Sequence, residues 1–180
     1  MKIISGKYKG RTIEGFNIDG TRPTMDRVKE SLFGMIQNYI NDSYVLDLFS
    51  GSANLAIESL SEGGKKAVAV DSNYKAIKVI NNNIKNIGVE NLKVLNMDYK
   101  KAIEYLEKEQ FDIIFLDPPY KTNYIEESIK LIDKYNILKD NGIIVCESDS
   151  IDKIIYNDNF KSIKDKKYGD KYIVIIKKVC

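Results

Sequence analysis

Four consecutive residues, Asp117-Pro118-Pro119-Tyr120, combine a carboxylate, two prolines and an aromatic ring. They follow residues 113–116, whose continuous apolar character predicts a strand buried on both faces of a parallel sheet. Asp117 is therefore expected at the carboxyl end of that strand, where open α/β sheets bind their ligands. Each proline fixes its own φ and restricts the preceding residue, so we expect a stiff loop whose carbonyls are fixed in direction.

This loop is suited to holding a planar NH2 group while its nitrogen attacks an electrophile. An amine conjugated to an aromatic ring is a weak nucleophile because its lone pair is delocalised. If Asp117 and the Pro118 carbonyl accept its two N–H bonds, the lone pair can be turned toward an electrophile while Tyr120 stacks on the ring. The alternative is an ordinary turn that ends a strand.

A glycine turn and a distant acid predict a nucleotide-binding site. Residues 45–49 are predicted as the first strand, Ser50-Gly51-Ser52 as the turn after it, and Asp71 ends the second strand. A carboxylate placed there can accept both hydroxyls of a ribose. The dinucleotide fingerprint would need glycines at positions 53 and 56, where this chain has Ala53 and Ala56, so NAD is disfavoured.

Acidic residues end four of the predicted strands. Asp98 follows the third strand, from which a carboxylate could accept a hydrogen bond from an adenine NH2 group. As single residues, Asp71 and Asp98 are also good helix N-caps. Together with Asp47 and Asp117, however, they place four carboxylates at four strand ends, a pattern that capping alone does not explain.

Strands and helices alternate regularly after residue 44, which predicts a βαβ sheet. A basic loop at 6–10 between two short apolar segments predicts an N-terminal hairpin, and Thr24 is a predicted N-cap for a helix with Val28, Leu32, Ile36 and Tyr39 on one face. The chain is predicted to end in a hairpin that turns at residues 168–170. The predicted strands are 45–49, 66–71, 92–96, 113–116 and 143–147, and helices ending at Leu60 and Ile87 and spanning 99–108 and 124–135 lie between them.

Length and composition predict one soluble domain over residues 1–180, with a hairpin extension at 1–24 and a catalytic core at 25–180. No run of 18 apolar residues and no signal-peptide core is present, so we expect a cytoplasmic protein with no membrane association. The chain has no histidine, which excludes histidine bases and histidine-ligated metals. Its two cysteines have no metal-binding spacing, and Cys146 is expected to be a buried structural thiol.

The net charge of +2 is unevenly distributed. Residues 1–35 carry +3 and residues 161–180 carry +5, so the middle of the chain is acidic. Basic ends favour an anionic partner such as nucleic acid, with Arg22, Arg27 and Lys29 at the exposed start of the first helix. The alternative is a lysine-rich solvated surface, since 25 of the 28 basic residues are lysine.

The order of these motifs resembles that of the S-adenosylmethionine-dependent amino-methyltransferases. Three further segments, at residues 4–11, 21–30 and 168–170, are similar to the RsmD-type family of 16S ribosomal RNA guanine-N2 methyltransferases. The resemblance covers nearly the whole chain. Its N-terminal segments are more specific than the Asp117–Tyr120 loop, which adenine and glutamine methyltransferases share. The matching segments read Ile-Ser-Gly-Lys-Tyr-Lys-Gly-Arg, Thr-Arg-Pro-Thr-Met-Asp-Arg-Val-Lys-Glu and Tyr-Gly-Asp.

The resemblance implies an α/β, Rossmann-like class I methyltransferase fold. Its sheet would have seven mostly parallel strands, an antiparallel last strand and helices on both faces. It also implies S-adenosylmethionine over the Gly51 turn, a guanine amine at Asp117, and no metal. The expected partner is 16S ribosomal RNA, either naked or within an assembling small subunit, and the protein is expected to be a monomer.

Site residues are assigned on the same grounds. The expected catalytic residues are Asp117, Pro118, Pro119 and Tyr120. The expected cofactor-binding residues are Asp47, Phe49, Ser50, Gly51, Ser52, Asp71, Ser72 and Asp98. The expected RNA-binding residues are Lys7, Lys9, Arg11, Arg22, Arg27 and Lys29.

One departure from the family pattern bears on activity. The family usually has glycine where Ala53 and Ala56 stand. The Ala53 methyl could crowd the cofactor, or cost ~1–2 kcal/mol if a left-handed backbone is required there. One alternative is the same chemistry on adenine N6 or a protein glutamine, since those methyltransferases share the Asp117–Tyr120 loop. The other is a catalytically silent RNA-binding relative, which the Ala53 departure supports.

Overall fold

The computed structural model describes residues 1–16 and 26–179. Within these residues, five α-helices and a short 3-10 helix (Ile151–Lys153) surround a sheet of seven strands. The helices are α1 (Asp26–Ile40), α2 (Asn54–Ser61), α3 (Tyr74–Ile87), α4 (Tyr99–Tyr105) and α5 (Tyr124–Tyr135). The strands are β1 (Tyr44–Asp47), β2 (Lys66–Asp71), β3 (Leu92–Asn96), β4 (Phe111–Leu116), β5 (Leu138–Ser148), β6 (Phe160–Tyr168) and β7 (Lys171–Lys178).

The strand order is β3-β2-β1-β4-β5-β7-β6. The pairs among β1 to β5 are parallel, whereas β7 is antiparallel to both β5 and β6. The expected seven-stranded, mostly parallel sheet with an antiparallel last strand is therefore confirmed. Because the carboxyl ends of β1, β2 and β4 meet at one edge, the residues that follow these strands are brought together there.

Both faces of the sheet are buried, as the apolar strand sequences predicted. Side chains alternate between two clusters: Val45 and Ile113 belong to the cluster with α1, α2 and α3, and Leu46 and Ile114 to the cluster with α4 and α5. Cys146 is fully buried in the second cluster, as expected of a structural thiol. None of the helices in the described ranges has the length and apolar character needed to cross a membrane.

The predicted N-terminal hairpin is confirmed as a narrow one. Lys2 pairs with Thr12, and the backbone of Ile3 is bonded to both Arg11 and Gly10 at 3.0 and 2.9 Å. The side chains of Ile3, Tyr8 and Ile13 are buried against the helices of the first cluster. The hairpin is thus packed onto the same face of the sheet as α1, α2 and α3.

A buried ion pair fixes the hairpin to the helices. Lys29 Nζ lies 2.9 Å from Glu58 Oε1, and both side chains are 0% exposed. Lys29 also donates to the Lys2 carbonyl at 2.7 Å, while Glu58 accepts the backbone N–H groups of Ile4 and Ser5 at 2.9 and 3.3 Å. The expected exposure of Lys29 is therefore wrong, because this lysine faces the interior of the molecule.

Several element boundaries differ from the predictions. The first strand ends at Asp47 instead of residue 49, and the fourth begins at Phe111 instead of residue 113. Two further boundaries differ by three residues or more. The helix predicted to reach residue 108 ends at Tyr105, because Glu107 and Glu109 bond three residues back and close tight turns instead of continuing the helix. The fifth strand begins at Leu138 instead of residue 143, because Leu138 pairs with Phe111 before the bulge in β4. Thr24, the predicted N-cap of α1, lies outside the described residues.

Candidate active site

A cavity opens at the edge of the sheet where β1, β2 and β4 end. All four predicted catalytic residues border it, and so do seven of the eight predicted cofactor-binding residues. The side chains that sequence analysis did not identify come from the N-terminus, α2, the β3–α4 turn and the start of β7. The lining consists of Met1, Phe16, Asp47, Leu48, Phe49, Ser50, Gly51, Ser52, Asn54, Leu55, Asp71, Ser72, Met97, Tyr99, Asp117, Pro118, Pro119, Tyr120 and Lys171.

Asp71 holds the glycine turn in place. Its Oδ2 accepts the Gly51 N–H at 2.9 Å and its Oδ1 accepts the Asn73 N–H at 2.9 Å. Burial raises the pKa of Asp71, although these two bonds act in the opposite direction. Asp71 is not the N-cap of α3, because that role belongs to Asn73. Its carboxylate borders the cavity with lone pairs left for further donors.

Gly51 allows a close approach to the floor of the cavity. It adopts φ +58, and apart from its chain neighbours no atom of the described residues lies within 4 Å of the position where a Cβ would stand. A ligand can therefore lie directly against this backbone. A glycine turn beside a carboxylate that can accept ribose hydroxyls is the donor and acceptor set that a nucleoside-containing cofactor needs. The residues present thus fit such a group.

Asp47 supplies the hydrogen-bond acceptor that the N-cap residue of α2 does not provide. The N-cap residue Ala53 has no side chain able to bond the first turn, and Asp47 Oδ2 accepts the Ala56 N–H at 3.2 Å instead. Burial raises the pKa of Asp47 to about 7, while the nearby Ser50 hydroxyl and the bond from the Ala56 N–H favour its ionised form. Asp47 therefore has a structural task at the start of α2 as well as a place on the cavity wall.

Ala53 does adopt the left-handed backbone that the missing glycine suggested. Its φ and ψ are 63° and 26°, and its side chain is 0% exposed. Ala53 does not border the cavity. Of the two consequences considered from the sequence, the structure therefore supports the strained left-handed backbone and not crowding of a ligand by the methyl group.

Asp98 is the one predicted cofactor-binding residue that does not border the cavity. Its Oδ2 accepts the Lys100 N–H at 3.0 Å, so it is the N-cap of α4. The residues on either side, Met97 and Tyr99, line the cavity instead. The capping alternative for Asp98 is therefore the one that the structure shows.

An aromatic cluster forms the wall beside Met97. The ring of Phe49 lies 5.2 Å from that of Tyr99 and is nearly parallel to that of Tyr124, at 6.0 Å and 10°. The Tyr99 hydroxyl donates to Glu127, which fixes the ring in the wall. Burial raises the pKa of Tyr99, and the Glu127 carboxylate raises it further, so Tyr99 stays a neutral donor.

Asp117 is partly buried and lies among other charged groups. Burial raises its pKa well above the usual range, and the neighbouring Glu147 carboxylate raises it further. Lys171 opposes this rise in pKa, and Asp47 contributes to it. Glu147 and Lys171 were missed by sequence analysis because their proximity to Asp117 depends on the pairing of β5 with β4 and β7. Glu147 was visible only as the last residue of a predicted strand.

A family described as Conserved hypothetical protein 95 matches residues 1–177. The chain belongs to this family.

Relatives and solved structures agree with this membership. A Bacillus subtilis protein named putative rRNA methyltransferase YlbH is 41% identical over 152 residues, which are 83% of each chain. A Haemophilus influenzae protein named Ribosomal RNA small subunit methyltransferase D is 34% identical over 175 residues, covering 94% of this chain and 89% of the relative. The structure of putative methyltransferase yhhF from Escherichia coli has a TM-score of 0.88 and 28% identity, covering 99% and 98% of the two chains. The resemblance to the RsmD-type family and the class I methyltransferase fold are confirmed.

The basic residues predicted to bind RNA do not form one surface. Lys7 and Arg11 contact the carboxyl-terminal ends of α2 and α3, through the Ser61 and Ile87 carbonyls. These helices start near the cavity and run away from it for roughly 12 and 21 Å, at 1.5 Å per residue. The hairpin tip with Lys7, Lys9 and Arg11 therefore lies at the end of the domain opposite the cavity.

The helix α1 begins close to the cavity instead. Its first residue, Asp26, accepts the Lys2 N–H at 3.2 Å, and the adjacent Met1 borders the cavity. Arg27 is exposed at this end, whereas Lys29 is buried in its ion pair and is not available to contact RNA. Arg22 lies outside the described residues. No group of acidic or cysteine side chains suited to a metal ion is present in residues 1–16 and 26–179.

Proposed function

We propose that this chain transfers a methyl group from S-adenosylmethionine to the exocyclic N2 amine of a guanine in 16S ribosomal RNA. The observation that carries this proposal is that Asp117, Pro118, Pro119 and Tyr120 border the same cavity as the Gly51 turn and Asp71. An amine-holding loop thus faces a nucleoside-binding turn across one cavity. The names of two relatives, an rRNA methyltransferase and a ribosomal RNA small subunit methyltransferase, support ribosomal RNA as the substrate.

The cofactor would be held by residues from three strand ends. S-adenosylmethionine supplies a methyl group on a positively charged sulfur. Asp71 would accept the ribose hydroxyls through the lone pairs that its two backbone bonds leave. Phe49, Ser50, Ser52 and Ser72 would complete the site around the Gly51 turn, and Met97 and Tyr99 would contact the adenine ring. Asp98 would reach the adenine amine only with the oxygen that does not cap α4.

The target amine would be oriented by Asp117 and the carbonyl of Pro118. Both acceptors lie in a loop stiffened by Pro118 and Pro119, so their directions are set before the substrate arrives. The Asp117 carboxylate would also offset the positive charge that develops on the nitrogen. Tyr120 would stack on a guanine that has been unstacked from its RNA.

The RNA would contact exposed basic residues in two places. Arg27, near the cavity, would bind close to the target base, while Lys7, Lys9 and Arg11 would reach only RNA that extends around the domain. Arg22 is proposed as an RNA contact on the sequence alone. We propose that residues 1–180 act as one domain and as a monomer, without a metal. Ribosomal RNA as the substrate places the reaction in the cytoplasm.

Two alternatives remain distinct from this proposal. Methylation of adenine N6 or of a protein glutamine would use the same loop. A silent RNA-binding relative was suggested by Ala53, but the Ala53 methyl is buried away from the cavity and so gives that alternative no support.

The test is to incubate labelled S-adenosylmethionine with unmodified 16S RNA and, separately, with unmodified small subunits. The RNA is then digested to nucleosides. We expect label in N2-methylguanosine, and comparison of the two substrates identifies the natural one. Label in N6-methyladenosine or in protein would support the first alternative, and tight binding of S-adenosylmethionine is expected only if the chain is not silent.

A further inference from the structure

Glu147 and Lys171 form an ion pair beside the catalytic loop. Lys171 Nζ lies 2.8 Å from Glu147 Oε1, and the two side chains are 18% and 4% exposed. Lys171 itself borders the cavity. The pair joins the end of β5 to the start of β7. These two strands are antiparallel neighbours, and β5 lies between β7 and β4 in the sheet.

The sheet register places this pair against Asp117. Leu116, the last residue of β4, pairs with Cys146 of β5, so the residues that follow each of them, Asp117 and Glu147, are neighbours. These neighbouring carboxyl groups interact, and the Glu147 charge raises the pKa of Asp117. Two carboxylates so placed cannot both ionise easily unless a cation compensates one of them.

The charged and titratable groups around Asp117 come from four parts of the fold. Asp47 faces it from β1, Glu147 from β5 and Lys171 from β7, while Tyr120 belongs to its own loop and its ring centre lies 5.9 Å from Lys171 Nζ. Burial would lower the pKa of Lys171, but Glu147 and then Asp117 reverse this, and its pKa is raised. Lys171 is therefore a permanent cation, and it lies 2.8 Å from the Glu147 carboxylate beside Asp117.

We infer that Glu147 and Lys171 are positioning residues that set the charge on Asp117 and thereby the pH range in which the amine is methylated. This inference rests on the proposed function for its catalytic consequence. The arrangement of charge itself belongs to the folded chain and needs neither cofactor nor RNA.

The proton balance of the reaction explains why this charge matters. The lone pair of the amine nitrogen forms the new N–C bond, and the donor's S–C bond breaks with its electron pair remaining on sulfur. The nitrogen is then cationic and must lose one hydrogen as a proton. An ionised Asp117 accepts it and becomes a carboxylic acid, which afterwards releases the proton to water. An Asp117 that is already protonated can do neither this nor offset the positive charge.

Glu147 and Lys171 act on Asp117 in opposite directions. The Glu147 carboxylate raises the pKa of Asp117, and the Lys171 ammonium lowers it. Replacing each in turn therefore predicts displacements of opposite sign, which loss of local structure would not produce.

The direct test is a titration of the Asp117 side-chain carboxyl carbon by NMR, on the full chain without ligands. We compare the wild type with Glu147→Gln and Lys171→Met, which keep the size of each side chain. We expect the Asp117 midpoint to move to lower pH in Glu147→Gln and to higher pH in Lys171→Met. Lys177→Met, which removes a lysine from β7 that lies over the ring of Tyr39, is the matched control and should leave the midpoint unmoved.

The second measurement is the pH dependence of the single-turnover methylation rate for the same variants. The rising limb of the profile should follow Asp117, moving to lower pH in Glu147→Gln and to higher pH in Lys171→Met. Lys171→Met should recover much of its lost rate as the pH is raised. A rate that falls equally at every pH would indicate a structural role and overturn the inference.

Different results would refute the charge arrangement around Asp117 and the proposed methyl transfer. Carboxyl titrations that do not move, or that move in the same direction in both variants, would overturn the charge arrangement whatever the substrate is. Opposite shifts in a protein that methylates no RNA would instead refute the proposed function and uphold the assignment of charge to Glu147 and Lys171.

Discussion

Asp117 has two possible roles that its surroundings keep separable. In the proposed reaction it would orient the amine as an acceptor and stabilise the charge on the nitrogen as an anion. Because burial, and then the Glu147 carboxylate, raise the pKa of Asp117 well above its usual range, the residue is not simply a permanent carboxylate. Substitutions that keep the acceptor but remove the charge can therefore distinguish the two roles.

We expect Asp117→Asn to bind S-adenosylmethionine nearly normally and to methylate slowly, and Asp117→Ala to be slower still. Lost charge stabilisation typically costs ~3–4 kcal/mol, or about 10²–10³ in rate, while the asparagine carbonyl still orients one N–H. Single-turnover rates at saturating RNA measure both variants. Wild-type speed in Asp117→Ala would exclude this residue from the mechanism, and equal, complete loss in both would mean that charge is all it supplies.

Asp71 is predicted to dominate cofactor affinity. Asp71→Ala should weaken S-adenosylmethionine binding at least about tenfold, because charge-assisted hydrogen bonds to the ribose are worth roughly 1.5–3 kcal/mol each. The substitution also releases the Gly51 and Asn73 N–H groups, so the Gly51 turn loses its anchor. Calorimetry measures the affinity, with Asp71→Asn as the control that keeps one acceptor oxygen. Unchanged affinity in a folded Asp71→Ala protein would reject the assignment.

At the scale of elements, the start of α2 contains two alanines in opposite backbone states. Ala53 has φ 63, whereas Ala56 lies inside the helix and its N–H is bonded to Asp47. A glycine relieves strain at a left-handed position but weakens a helix interior. The same substitution should therefore have opposite effects at two positions three residues apart.

We predict that Ala53→Gly raises the free energy of unfolding by roughly 0.5–1 kcal/mol, the left-handed penalty less the added chain entropy. Ala56→Gly should lower it by about 1 kcal/mol or more. Urea denaturation followed by circular dichroism measures both. Cofactor affinity should change little in Ala53→Gly, and a large gain in affinity would show that the methyl does crowd the ligand.

The Lys29–Glu58 pair connects the hairpin, α1 and α2. Lys29→Met should destabilise the protein by about 3–5 kcal/mol, because it leaves Glu58 charged and uncompensated in the interior. Adding Glu58→Gln should recover part of this loss, since the amide oxygen still accepts a backbone N–H from the hairpin. Equilibrium unfolding of both single variants and the double variant measures the coupling. A stable Lys29→Met protein with weakened RNA binding would restore Lys29 as an RNA contact.

At the scale of the whole molecule, the two basic ends of the chain lie at different places. Lys7 and Lys9 are at the hairpin tip, opposite the cavity, and Arg27 is near it. The lysines of β6 occupy the edge strand on the other side of the sheet from β3. The binding of short and of long RNA should therefore depend on different basic residues.

We expect Arg22→Glu with Arg27→Glu to weaken binding of a short RNA hairpin that contains the target guanine. The slope of log affinity against log salt should become shallower by about one to two units, since each lost phosphate contact contributes ~0.7–0.9. Lys7→Glu with Lys9→Glu should change binding only of whole 16S RNA or the small subunit. Filter binding over a range of salt measures both pairs. Equal effects of the two pairs on the short hairpin would contradict this division.

Much of the site was predictable because strand ends are visible in a sequence. Apolar runs around Asp47 and up to Asp71 and Asp117 indicate parallel strands, and parallel strands must bring their carboxyl ends to one edge. That rule places the Gly51 turn, Asp71 and the loop of residues 117–120 around one cavity without any knowledge of side-chain packing. The N-terminal hairpin follows from the same kind of local pattern, and the mostly parallel seven-stranded sheet from motif resemblance, whereas the order of the strands was given by the structure.

Tertiary structure alone decided which charges meet. Lys29 and Arg27 are equivalent as basic residues near a helix start, but helical periodicity turns Lys29 toward Glu58, 29 residues away, and leaves Arg27 exposed. The Asp98 carboxylate accepts the Lys100 N–H and so caps the helix that follows it, a bond that needs no ligand. Glu147 and Lys171 reach Asp117 only through the register of three strands. Electrostatic interactions depend on distance in space, and a sequence specifies that distance only after the chain has folded.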